Sequence, residues 1–373
     1  MMLGIYIHVP FCLRKCPYCA FYSVKYSRGL KDGYVSAVVR NISAFKSKAL
    51  SADTVYFGGG TPSLLTPDDI GRIITAVKES FTVPADAEIT MEANPCSVTF
   101  ESICGYKKAG ANRISFGVQS ANDAELKKLG RLHDFKRAED CVKWAKEAGI
   151  DNISCDLMIG TPNQTLESLA DSVNKLIDLD ISHISAYMLK IEQGTPYDNE
   201  MIRREAADDD LSADMYMELC RLMRERGFDR YEISNFSKPG YESRHNLKYW
   251  RLEDYLGFGP SAHSLFEGRR FYVPDDLKSF ISHTVQPTLT EDDCPDALEE
   301  YILLSLRIAS GISLEQIKSL GGSDEAVLKA AKRFISAGLL ELNNGIISLT
   351  DSGCLVSNGI ILAIYDAAVG ENL

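Results

Sequence analysis

Apolar residues recur in two rhythms along the first 190 or so residues of this chain. Short β-branched runs at 4–9, 54–57, 88–93, 113–118, 152–159 and 183–189 read as strands. Between them, 32–48, 66–81, 98–109, 123–129, 136–148 and 166–179 carry apolar residues three or four positions apart and read as helices. Val35, Val38, Val39, Ile42 and Phe45 fall on one such face. Thr66-Pro67-Asp68-Asp69 offers an N-cap followed by proline at the first helical position. Six β-α units in series predict a parallel sheet, because parallel strands need crossovers, and units of this length curl into a barrel or part of one. The expected class is α/β, a partial TIM-like (β/α)6 barrel. No repeat of fixed period is visible within it.

The pattern changes after Gly194-Thr195-Pro196. A charged segment at 203–210 leads to a helix at 211–226, and 228–272 is rich in aromatic, Gly and Asn residues. This region reads as an α+β cap packed on the barrel's open side. From about residue 288 three helices (298–308, 314–320, 325–337) precede a hairpin, 338–342 and 345–349, turning at Asn343-Asn344. Three helices and a hairpin resemble a winged helix. The expected domains are the barrel at 1–205, the cap at 206–287 and the winged-helix-like unit at 288–373.

Composition narrows the function. The 373 residues carry a formal net charge of −12, which disfavours a surface that coats nucleic acid. Glu299, Glu300, Glu341 and Asp351 make the winged unit a poor DNA reader and suit packing or protein contact better. The amino terminus shows no secretory signal, and the apolar stretch at 359–369 is short and contains Asp366, so no transmembrane segment is expected. Ten cysteines in that setting read as reduced thiols and metal ligands, which points to the cytoplasm, with peripheral membrane contact left open.

Three of those cysteines crowd one loop after the first strand: Cys12, Cys16 and Cys19, spaced C-x3-C-x2-C. Such thiolates suit an iron–sulfur cluster, whereas a structural zinc site asks for four ligands and the next cysteine is Cys96. Three ligands leave one metal corner open for chemistry. Ligands of parallel β-α folds sit at the carboxyl ends of the strands, and polar residues gather there. The Gly58-Gly59-Gly60-Thr61-Pro62 turn exposes backbone to a ligand, although a plain tight turn would also explain it. Glu92 is a charge in an apolar strand and needs a partner. Gln119 ends the fourth strand, Arg131 offers a bidentate clamp for a carboxylate, and Asp156 lies in the fifth.

The pattern Tyr6-x-His8-x-Pro10-Phe11-Cys12-x3-Cys16-x2-Cys19 resembles the cluster loop of radical S-adenosylmethionine (SAM) proteins, in the coproporphyrinogen III dehydrogenase-like branch. The resemblance covers essentially the whole chain. It implies a radical SAM barrel, a [4Fe-4S] cluster on the three cysteines, and SAM chelated by the fourth iron. It further implies SAM contacts from Tyr6, Tyr18, Gly59, Gly60, Thr61, Glu92, Gln119, Arg131 and Asp156, with Arg131 on the carboxylate.

Two departures separate this chain from the dehydrogenases. They carry a further cysteine where Phe21 stands, and they have an amino-terminal extension. Both features look like the HemW-type haem chaperones. His245-Asn246-Leu247-Lys248-Tyr249-Trp250 matches that branch's HNxxYW signature, implying haem on His245 with Asn246, Tyr249 and Trp250 as neighbours. A structural histidine beside packed aromatics is the plain alternative. The expectation is a haem chaperone delivering haem to acceptor proteins, respiratory haemoproteins at the membrane among them. The competing class is an oxygen-independent coproporphyrinogen III dehydrogenase. Cys96, Cys104, Cys141, Cys155, Cys220, Cys294 and Cys354 are assigned packing roles.

Overall fold

The computed structural model describes residues 2–282, 288–289 (backbone) and 296–370. Its first strands are β1 (Met2–Val9), β2 (Phe11–Cys12), β3 (Val24–Lys25), β4 (Ser51–Gly59), β5 (Glu88–Ala93), β6 (Arg113–Gln119), β7 (Asn152–Ile159) and β8 (His183–Met188). The six expected barrel strands are β1 and β4 to β8, adjacent in that order and parallel throughout. Helices Arg28–Ala44, Pro67–Ser80, Phe100–Ala109, Phe135–Glu147 and Leu166–Asp178 lie in the crossovers. The first starts four residues before the expected position, because Ser27 caps it by accepting from the Leu30 N–H.

The alternation within the strands determines what the barrel encloses. Leu3, Ile5, Ile7, Val55, Phe57, Ile89, Met91, Ile114, Phe116, Ile153, Leu157 and Ile184 are buried in the hydrophobic core. The alternate positions are polar or glycine, with Met158 an exception: Tyr6 and His8, Thr54 and Tyr56, Glu88, Thr90 and Glu92, Arg113 and Ser115, Ser154 and Asp156, His183 and Ser185. Successive side chains point to opposite faces, so this second set faces inward. A (β/α) barrel is ordinarily filled by branched apolar residues; the interior of this one is predominantly polar.

The expected cap takes a different form. It supplies β9 (Asp229–Arg230), β10 (Asn235–Ser237), β11 (Tyr255–Phe258), β12 (His263–Phe266), β13 (Arg269–Tyr272) and β14 (Thr288–Leu289). These extend the barrel sheet at both edges: β11 pairs parallel to β1 and β10 antiparallel to β8. Exposed edges seek partners, and the region completes one twelve-stranded sheet instead of forming a separate layer. Its helix Arg244–Trp250 packs at the amino-terminal ends of the strands.

In the carboxyl-terminal unit β15 (Ile312–Ser313), β16 (Leu340–Asn343) and β17 (Ile346–Leu349) form a three-stranded sheet beside helices Ala297–Ser305, Leu314–Ser319 and Asp324–Ser336. The hairpin turns one residue later than expected, at Asn344 (φ 53°) and Gly345 (φ 79°), the Asn-Gly pair that tolerates two left-handed residues. Arg230 ties the unit to the sheet by donating to Asp351 Oδ1 at 3.0 Å and to the Leu349 carbonyl at 2.9 Å. The border expected at 287/288 is flanked by residues outside the described set.

Candidate cofactor site at the barrel mouth

The carboxyl ends of the barrel strands surround a cavity of about 500 Å³. Of the twelve cluster and SAM residues expected from the sequence, eleven line it; Tyr6 does not. Tyr6 lies deeper, its hydroxyl 3.1 Å from His8 Nδ1.

The cysteine loop closes one wall. Cys12, Cys16 and Cys19 are all half-buried free thiols. Thr61 Oγ1 donates to Cys12 Sγ at 3.6 Å and Arg131 Nη1 to Cys16 Sγ at 3.5 Å, so both sulfurs already face donors. The loop presses on the glycine turn. A Cβ on Gly59 (φ 109°) would stand 2.7 Å from the His8 ring, and one on Gly60 2.7 Å from the Phe11 carbonyl. Packing against the loop by itself requires glycine at both positions, which is the plain structural reading of this turn.

The other walls carry charge in depth. Glu92 accepts from Tyr56 Oη at 2.8 Å and from the Gly59 N–H at 3.2 Å. Burial, and then Asp156 nearby, push its carboxyl up to about 7. Asp156 accepts from Ser115 Oγ at 3.0 Å, and burial raises it as well. Arg131 Nη2 donates to the Gly117 carbonyl at 2.5 Å, while its Nε is buried without a partner among the described residues. Burial opposes the Arg131 charge, but Tyr18, Cys16 and Cys96 around it more than compensate and hold its pKa above the ordinary value. Gln119 has φ 75° where the β6–β7 register slips, a strained bulge that turns its side chain into the cavity.

These residues fit the groups the family resemblance implies. Two half-buried carboxylates and a guanidinium donor in one cavity suit a zwitterion. Among the described residues no three His, Cys, Asp or Glu side chains stand close enough to hold a single ion. A four-iron cluster is wider and takes ligands standing further apart.

The haem motif lies elsewhere. Residues 244–250 form a helix, and His245 is fully buried at the barrel floor, opposite the cavity. Its Nδ1 is 2.7 Å from Thr54 Oγ1 and its Nε2 2.7 Å from Tyr249 Oη. Tyr56 stacks on the ring with centroids 5.1 Å apart. The N–H groups of Arg244 and His245 donate to Glu88 at 3.1 and 3.2 Å, which caps the helix. Burial, then Lys248 and Arg113, hold the imidazole down to about 3. In this conformation both ring nitrogens are engaged, so His245 reaches an iron only if the helix moves. Asn246, Tyr249 and Trp250 are half-buried around it.

Some lining residues escape the sequence reading. Ser115 and Tyr187 reach the cavity, and the polar alternation of their strands was the available signal. Cys96, expected only to pack, is half-buried and lines a second, small cavity with Cys16, Thr61 and Arg131. No local signal marks it, because 80 residues separate it from Cys16. Cys141, Cys155, Cys220 and Cys354 are buried, and Cys104 is half-buried. Cys294 lies outside the described residues.

Fold and site together define a radical SAM protein: the Radical SAM superfamily model matches residues 6–176, and the HemN C-terminal domain model matches 293–356. Among solved structures, coproporphyrinogen III oxidase (HemN) from Escherichia coli superposes with a TM-score of 0.81 at 22% identity, over 97% of this chain and 89% of that one. That likeness establishes the fold. Closer in sequence is the Heme chaperone HemW of Bacillus subtilis, 34% identical over 99% of this chain and 100% of its own length. The protein of that name from Lactococcus lactis is 32% identical over 95% of each chain, and the one from Escherichia coli 39% identical over 70% and 69%. The chain belongs to the HemW family within the radical SAM superfamily.

Proposed function

We propose that this protein is a haem chaperone that holds a [4Fe-4S] cluster on Cys12, Cys16 and Cys19, binds SAM in the mouth cavity, and passes haem to acceptor haemoproteins, respiratory ones among them. The observation that carries the reading is full-length similarity to proteins named heme chaperones at above 30% identity. The cluster, when bound, would supply an open iron for SAM. The chain's own part is to seat the zwitterion: Arg131 takes the carboxylate, Glu92 and Asp156 face the ammonium, and the turn at Gly59 and Gly60 gives its backbone to the ligand. Phe21, 71% exposed on the cavity rim, supports the chaperone over the dehydrogenase, which has a cysteine at this position.

His245 is the proposed haem ligand, and its burial sets a condition. Haem binding through this residue requires helix Arg244–Trp250 to leave the floor and give up the Thr54 and Tyr249 bonds. The test pairs two assays on anaerobically reconstituted protein. Haem titration should saturate near one equivalent in wild type and weaken in His245→Ala. Incubation with SAM, reductant and coproporphyrinogen III should give no protoporphyrinogen IX. Multiple turnovers would replace this reading with the dehydrogenase, and unchanged haem affinity in the variant would remove His245 from the site. Among the described residues no helix is long and apolar enough to cross a membrane.

A further inference from the structure

We propose that Cys96 is a fourth thiolate for the cluster, binding the iron that Cys12, Cys16 and Cys19 leave open when SAM is absent and yielding it when SAM arrives. The inference rests on the cluster reading above and adds a ligand to it. Cys96 sits in the Pro95–Ser97 turn just past the carboxyl end of β5. The turn is pinned from three directions. Asn94 Oδ1 accepts from the Cys96 N–H at 3.3 Å, Arg137 Nε donates to the Pro95 carbonyl at 3.0 Å, and Ser97 Oγ lies 2.6 Å from Ser63 Oγ. This anchoring presents the half-buried thiol to the small cavity it shares with Cys16.

The second observation is Arg131, which lines the same cavity. Its Nη1 is committed to Cys16 Sγ, yet its Nε is buried and has no partner among the described residues. A guanidinium with a spare donor, in the cavity that Cys16 and Cys96 share, is arranged to receive another anion. Without SAM that anion is the Cys96 thiolate; with SAM it is the ligand's carboxylate. Four thiolates are the usual ligand set of a [4Fe-4S] cluster, and soft sulfur suits iron. The exchange involves no electron transfer. Cys96 releases its proton to solvent as the Fe–S bond forms and recovers one when the amino and carboxylate groups of SAM displace it.

The test uses wild type, Cys96→Ser and Cys96→Ala, each reconstituted anaerobically, with Cys12→Ser as the variant lacking an expected loop ligand. Without SAM, the two Cys96 variants should lose iron to bathophenanthroline disulfonate about tenfold faster than wild type and show a shifted EPR signal in the reduced state. With SAM the three should coincide. Alkylation gives a reading that needs no variant: iodoacetamide should spare Cys96 in the loaded wild type and label it once SAM is added. Equal stripping rates and spectra without SAM, or labelling indifferent to SAM, would overturn the proposal. Wild type that takes up no iron would remove the cluster itself, a failure distinct from four irons bound without help from Cys96.

Discussion

The two ends of the barrel are lined by the same kinds of residue and are arranged in opposite ways. At the floor, most polar atoms find protein partners: His245 between Thr54 and Tyr249, His183 between Ser154 and Tyr231, and Lys248 at 3.0 Å from Asp53 and 2.8 Å from Glu253, with Arg113 Nε an exception. At the mouth, satisfaction stops short. Arg131 Nε has no partner among the described residues, Glu92 and Asp156 are half-buried carboxylates with raised affinity for protons, and Gln119 holds a strained backbone. An unpartnered donor costs free energy, and neighbouring carboxylates oppose each other's charge, so the mouth is an arrangement that a ligand completes. The floor is mostly paired within the protein, and the mouth is open to a ligand.

Several measurements would break or sharpen that contrast. The largest effect belongs to the loop: replacing Cys12, Cys16 or Cys19 by Ser should abolish iron uptake while leaving the melting temperature of the metal-free protein nearly unchanged. Iron retained at wild-type levels would place the cluster elsewhere. Next, Arg131→Ala should weaken SAM binding by about 2–3 kcal/mol, roughly a hundredfold, the worth of a charged hydrogen-bonded pair. Calorimetry on the loaded protein reads this, and an unchanged affinity would show that the mouth is not the SAM seat.

A change at the floor should do the reverse. Thr54→Val leaves His245 Nδ1 unpaired and should cost about 1–3 kcal/mol of stability, read by denaturant unfolding, with SAM affinity untouched. A variant as stable as wild type would mean that the floor is not tightly satisfied.

The two ends should also answer pH with opposite signs. Glu92 is raised from 4.5 to about 7, so between those values the folded chain holds a proton that the unfolded chain has released. Its contribution is full below pH 4.5 and fades as pH rises toward 7. His245 is lowered from 6.5 to about 3, so its contribution is full above pH 6.5 and is lost on acidification. Each slope is at most about 1.4 kcal/mol per pH unit. Unfolding curves from pH 5 to 8 should lose the first slope in Glu92→Gln and the second in His245→Asn; a profile unmoved by either variant would refute both assignments.

The smallest effect serves as a control. Asp351→Asn weakens the partly buried link to Arg230 and should cost about 1 kcal/mol or less, without altering iron content or SAM affinity.

Local pattern carried much of this protein. Apolar rhythm alone located six strands and their crossovers, because burial against helices imposes a period that neighbouring residues share. The spacing of Cys12, Cys16 and Cys19 announced a cluster, because its ligands sit on one loop. Gly59, Glu92, Arg131 and Asp156 could be collected from four strand ends, since a parallel sheet aligns those ends. Tertiary structure decided what no local period encodes. It brought Cys96 beside Cys16 across 80 residues of chain, through the curl of β1, β4 and β5. It turned the alternate strand positions inward into a polar interior, where strand sequence alone shows two faces and not which is enclosed. It also put His245 under the barrel, sealed by Thr54 and Tyr249. The HNxxYW motif names these residues but not their depth, which depends on where the edges of the sheet close around the helix.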